Sequence, residues 1–106
     1  MGPIETLITE KLVGQFSPEV LQVINESSMH AVPEGSESHF KVVIVTDQFD
    51  GKRQVARHQA IYGLLADELQ GPVHALALHT YTASEWSENA GTAPQSPDCL
   101  GGSKAN

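Results

Sequence analysis

Residues 73–82 read VHALALHTYT, and this stretch decides the fold of the chain. Its composition predicts a β-strand, in which successive side chains lie on opposite faces of a sheet. On such a strand His74 shares a face with Leu76 and Leu78, whereas His79 lies on the other face. The two histidines therefore cannot bind one metal ion together, and a partner ligand for His74 has to come from elsewhere.

The elements around this strand alternate between helical and strand patterns. Gly71-Pro72 ends a long helix before the strand, and Thr82 followed by Glu85 three residues later predicts a capped short helix after it. The expected order is α-β-β-α-β-α, with a right-handed crossover that sets the third strand parallel to the second. The sequence therefore predicts an α+β domain with a three-stranded mixed sheet and helices mainly on one face. The expected elements are a helix over 3–15, strands over 19–27 and 39–46, a loop over 29–37, a helix over 52–70, a strand over 73–81 and a helix from 82.

Length and composition indicate a single globular domain. The chain has 106 residues and 40% hydrophobic content, enough for one core. We expect this domain over 1–88 and a disordered tail over 89–106, where Gly, Pro, Ser and Ala dominate. No apolar stretch reaches membrane-spanning length and no basic leader precedes an apolar run, so a cytoplasmic location is expected.

The single cysteine limits the metal chemistry of the chain. With only Cys99, an internal disulfide and a Cys-x-x-Cys site are both excluded. A metal centre built by this chain has to rest on histidine and carboxylate. Cys99 itself is interpreted as a spectator thiol. No motif of a hydrolase, metalloprotease or nucleotide-binding enzyme is present, so no reaction is indicated.

The formal net charge of −7 argues against broad attraction to nucleic acid or anionic membranes. However, three of the six Lys and Arg residues fall within 52–57, namely Lys52, Arg53 and Arg57. Cations near a helix N-terminus oppose the helix dipole, which favours a phosphate-binding role for them. A solvated basic edge that balances nearby carboxylates is an equally open interpretation.

The remaining histidines have structural interpretations. His58 recurs at helical spacing with Val55, Tyr62, Leu65 and Leu69, which predicts a packed, hydrogen-bonded position in the core. His39 and His79 are interpreted as structural or surface groups.

Several segments in order carry a resemblance to the BolA family, over about residues 4–86. The chain resembles that family in the segments SHFKVVIV at 38–45, FDG at 49–51, RH at 57–58, IY at 61–62, VHAL at 73–76, and YT and EW between 81 and 86. The resemblance implies a fold similar to the type II KH domain. The chain has no Gly-x-x-Gly loop, so KH-type RNA binding is not expected.

The resemblance implies a regulator with two capacities. The first and leading hypothesis is a partner of a monothiol glutaredoxin that shares a [2Fe-2S] cluster, which the isolated protein lacks. The family's cluster-binding histidines fall on His74 and on His30 in the loop. Alone, the chain is expected to be a monomer or a weak homodimer.

The second hypothesis is a DNA-binding transcriptional regulator of the stress response that acts through the turn and long helix, here Lys52, Arg53 and Arg57. The family's frequent Arg-His-Arg reads Arg57-His58-Gln59 in this chain, with one positive charge fewer. Without the resemblance, His74 is a strand-edge histidine bonded to backbone, and His30 is a solvated loop residue.

Overall fold

The first helix owes its position to both ends of its sequence. The computed structural model describes residues 2–29, 32–33, 35–89, 91 and 93. In it, α1 spans Pro3–Phe16, with the proline in the first turn. Ile8, Leu12 and Phe16 form its buried face. The helix ends where Ser17 adopts a left-handed conformation with φ of 44°, and the Ser17 N–H donates to the Val13 carbonyl.

Three strands form one mixed sheet in the order β1-β2-β3, with β1 over Val20–Asn25, β2 over His39–Val45 and β3 over Ala75–Tyr81. β1 pairs antiparallel with β2, whereas β2 pairs parallel with β3. The predicted parallel pairing is therefore confirmed, and so is the α+β class. The first strand is shorter than predicted, since it ends at Asn25 rather than at residue 27.

The core lies between one face of the sheet and the helices. Phe40, Val42 and Ile44, at alternate positions of the central strand, pack against this core. The helices and loops contribute the remaining buried apolar side chains, which are Ile8, Leu12, Phe16, Phe49, Ile61, Leu65 and Val73. Within the described residues, no helix is both long enough and apolar enough to cross a membrane.

The prediction of one long helix over 52–70 is wrong in its start and in its continuity. The segment consists of α2 over Gln54–Leu64 and α3 over Ala66–Gln70. Leu65 lies between them with φ of −101° and ψ of 21°, outside helical values, and its side chain is buried. The predicted capped helix after β3 is confirmed as α4 over Ala83–Glu88, with a complete capping box between Thr82 and Glu85.

The buried face of α2 also differs from the predicted one. Val55 is 69% exposed, Tyr62 41% exposed and His58 half-buried, so these three positions of the predicted stripe lie outside the core, whereas Leu65 is buried in it and Leu69 packs against it. The ring of His58 lies beside that of Tyr62, with centroids 6.4 Å apart. The face turned to the core instead carries Arg57 and Ile61, which a hydrophobic pattern misses because it counts arginine as a surface residue.

β3 begins one residue later than the position of His74. Leu76 and Leu78 are partly buried against the core, while Ala75 and Ala77 are exposed, as the alternation predicts. His74 is exposed and precedes the strand, so the prediction that it lies on the strand with Leu76 and Leu78 is wrong.

The predicted tail over 89–106 lies outside the described residues, apart from positions 89, 91 and 93. Cys99 and its predicted spectator role lie there as well.

Candidate functional site

His74 is held at the edge of the sheet by its backbone. Its N–H donates to the Ser38 carbonyl at 2.8 Å, and the Ala75 N–H donates to the same oxygen at 3.1 Å. These bonds start the parallel pairing of β3 with β2. The imidazole is on an exposed residue, so it can bind a ligand that comes from solvent or from a partner.

The same serine connects His74 to the loop between β1 and β2. The Ser38 N–H donates to Ser27 Oγ at 2.9 Å, and the His39 N–H donates to that hydroxyl at 3.1 Å. Ser27 begins the short 3₁₀ turn Ser27–Met29, which leads into the loop. His30, the predicted second ligand, lies outside the described residues. Its predicted role therefore stays a prediction.

A pocket of about 400 Å³ opens at the base of this loop. The Asn25 side-chain amide donates to the Ser36 carbonyl at 2.9 Å and so joins the two ends of the loop. The pocket is lined by Asn25, Ser27, Ser28, Val32, Pro33, Gly35 and Ser36.

His39 lies next to His74, which was not predicted from the sequence. The centroids of the two imidazole rings are 6.4 Å apart. The parallel register pairs His39 with Ala75, so the residue before β3 lies close to the first residue of β2. The predicted parallel pairing of β2 and β3 could have indicated this closeness, because parallel strands place their first residues at the same end of the sheet. Among the described residues, no group of three or more His, Cys, Asp or Glu side chains can hold a metal ion.

A second surface is formed by the turn before α2. A 3₁₀ turn over Asp47–Phe49 is capped by Thr46, and Gly51 then takes a φ of 78°, which glycine adopts without strain. Lys52 and Arg53 follow, and both are exposed. Arg53 is the N-cap of α2 without a side-chain capping bond, and the first turn of α2 has no acidic residue. These two cations remain available to an anionic ligand.

Arg57 does not belong to that exposed surface. The residue is 3% exposed, and its guanidinium donates to both carboxylate oxygens of Glu85, at 2.6 and 3.0 Å. The same group donates to the backbone carbonyls of Lys52 and Thr80, at 2.9 and 3.2 Å, and lies over the Phe49 ring. The basic edge predicted from three cations is therefore corrected to Lys52 and Arg53. Arg57 is excluded because its guanidinium is buried and bound to Glu85 and to backbone carbonyls.

Glu85 is the counterpart of this arginine and also caps α4. Its carboxylate accepts the Thr82 N–H at 3.0 Å. The hydrogen bonds from Arg57, together with the Thr82 N–H, lower the pKa of Glu85 below its usual value. The capping box was predicted, but the ion pair with Arg57 was not. Burial, followed by the charge of Lys41, lowers the pKa of His79 below its usual value.

Comparison with known proteins places this geometry in a family. A family model described as a BolA-like protein matches residues 12–85. The chain belongs to the BolA family. A BolA protein of Vibrio cholerae, named a DNA-binding transcriptional regulator, is 55% identical over 101 residues, which cover 95% of each chain.

Solved BolA structures share the fold. The solution structure of BolA1 from Mus musculus superimposes with a TM-score of 0.81 at 47% identity, over 94% of this chain and 80% of that one. The BolA domain of SufE1 from Arabidopsis thaliana gives a TM-score of 0.75 at 41% identity, over 80% of this chain and 98% of that one.

Proposed function

We propose that this BolA protein is a DNA-binding transcriptional regulator without enzymatic activity. The observation that carries the proposal is the 55% identity, over 95% of both chains, to the Vibrio cholerae protein that bears this name. The contact surface we assign to DNA is the turn before α2, with Lys52 and Arg53 as the phosphate-binding residues.

The charge distribution supports a small contact on the phosphate backbone. Lys52 and Arg53 are both exposed at the start of a helix, where backbone N–H groups add to the attraction of phosphate. The net charge of −7 repels DNA elsewhere on the molecule. Affinity should therefore depend on these two side chains and respond strongly to salt.

The test is DNA affinity measured across a range of salt concentrations. Replacement of both cations, in Lys52→Gln/Arg53→Gln, should weaken binding and reduce the slope of log affinity against log salt by about 2 per chain. The matched control is Gln15→Glu/Gln22→Glu, which changes the net charge equally at two exposed positions in α1 and β1. An equal loss in both double variants would contradict a specific contact by Lys52 and Arg53.

A second proposed function is the sharing of a [2Fe-2S] cluster with a monothiol glutaredoxin, in which His74 and His30 are iron ligands. The observation that favours it is the exposed imidazole of His74 on a backbone fixed by Ser38. Iron–sulfur clusters accept imidazole in place of thiolate. The described part of the chain offers no group of three donors, so the remaining ligands would come from the glutaredoxin and a glutathione thiol.

Visible circular dichroism tests this second function. Addition of the protein to a cluster-loaded monothiol glutaredoxin should change the spectrum of the cluster, and His74→Ala should abolish the change. His58→Ala is the matched control, because His58 is a histidine of α2 that lies beside Tyr62 and not at the β2–β3 edge that carries His74. A spectrum that changes equally with His74→Ala would remove His74 as a ligand.

A further inference from the structure

The strongest unexplained feature is the juxtaposition of His39 and His74. Their ring centroids are 6.4 Å apart with an interplanar angle of 65°. Two imidazoles on one tetrahedral ion, with metal–nitrogen bonds of about 2.0–2.1 Å, have ring centres roughly 5 Å apart. Rotation of the exposed His74 side chain between staggered rotamers can supply the remaining approach.

The first imidazole is already oriented as a metal ligand would be. Ser38 Oγ lies 2.8 Å from His39 Nδ1. Histidines that bind metals commonly use one ring nitrogen for the ion and the other for a hydrogen bond that fixes the ring. Coordination through His39 Nε2 would leave this contact with Ser38 intact. Ser38 itself is buried and bound to Ser27, so the support for His39 is rigid.

The strand register adds a negative charge beside the pair. The Glu26 N–H donates to the His39 carbonyl at 2.7 Å, which continues the antiparallel pairing of β1 with β2 by one residue. Directly paired residues of antiparallel strands share a face of the sheet. Glu26 therefore shares the His39 face of the sheet with Lys41, and because these two side chains carry opposite charges, the face has no excess positive charge that would repel a cation.

We propose that His39 and His74 together bind one Zn²⁺-class divalent cation on the isolated protein. Each histidine donates one ring nitrogen and water completes the coordination, since the described residues contain no third donor in place. This site shares His74 with the proposed cluster function but needs neither a glutaredoxin nor iron. Occupation by Zn²⁺ would compete with cluster binding at His74.

The test uses the full chain without a tag, titrated with Zn²⁺ in the absence of iron, DNA and partner protein. One equivalent of Zn²⁺ should shift the imidazole nitrogen resonances of His39 and His74 in the unmodified protein. Calorimetry should show that His39→Ala and His74→Ala each weaken Zn²⁺ binding about tenfold or more, while His58→Ala leaves it unchanged. Ser38→Ala should weaken binding less, because it removes only the orientation of His39.

Three results would overturn the proposal. They are no Zn²⁺ binding, unchanged affinity with His39→Ala, and nitrogen shifts at His30 and His74 without a shift at His39. The nitrogen shifts are read on the unmodified chain, so they decide the question even if His39→Ala fails to fold. Failure here leaves the cluster and DNA functions untouched, because their tests use different ligands.

Discussion

The guanidinium of Arg57 and the carboxylate of Glu85 form a two-bond ion pair, at 2.6 and 3.0 Å, that ties α2 to the start of α4. The arginine side chain is 4% exposed and the glutamate side chain 40%. Because the arginine also donates to the Lys52 and Thr80 carbonyls, it joins the basic turn, β3 and α4 in one network. The surface assigned to DNA is thus supported by a cation that does not itself reach the surface.

Loss of Arg57 should lower the free energy of unfolding. Arg57→Ala removes the guanidinium donor from the Lys52 and Thr80 carbonyls and from Glu85, which keeps only its bond from the Thr82 N–H, and this should cost about 2–3 kcal/mol. Urea denaturation measures the change. Arg53→Ala is the control, and its exposed side chain should cost less than about 0.5 kcal/mol. Similar losses for both variants would contradict the structural role of Arg57.

The same ion pair should make stability depend on pH. Its hydrogen bonds lower the pKa of Glu85 in the folded protein, so the stabilisation is present above the usual value of 4.5 and is lost as pH falls through the lowered pKa. Urea midpoints of the unmodified protein and Glu85→Gln should differ near pH 7 and converge in acid below pH 4.5. A constant difference across this range would show that Glu85 does not titrate as described.

Truncation to alanine should change stability differently on the buried face of α2, which carries Ile61, and on its exposed face, which carries Val55. Ile61→Ala removes a side chain with no exposed area and should cost about 2–4 kcal/mol. Val55 is 69% exposed, so Val55→Ala should be neutral or slightly stabilising, because alanine favours the helix. Thermal denaturation compares the two. A larger loss for Val55→Ala would support the core stripe predicted from periodicity.

The N-terminus of α1 should depend on a residue far along the chain. The Glu37 carboxylate accepts the N–H groups of Ile4 and Glu5, at 3.3 and 3.0 Å, and so caps the helix. Glu37→Ala should cost about 1 kcal/mol by urea denaturation, since it removes the acceptor and a negative charge that complements the helix dipole. The control Glu10→Ala changes an exposed glutamate within α1 and should have little effect.

Features set by neighbouring residues were predictable from the sequence. The alternation of Leu76 and Leu78 and the capping box of Thr82 and Glu85 were both predicted and are present. These features depend on side chains a few residues apart, whose relative positions are fixed by the geometry of a helix or a strand. The local pattern therefore determined the order and class of the elements.

Contacts between distant residues were decided only by the tertiary structure. Arg57 and Glu85 are 28 residues apart, and Glu37 and Glu5 are 32 apart. A buried arginine becomes favourable only when its carboxylate and carbonyl partners converge on it, and periodicity contains no information about those partners. For the same reason, the resemblance to the BolA family implied His74 as a ligand, while its approach to His39 required the register of two strands.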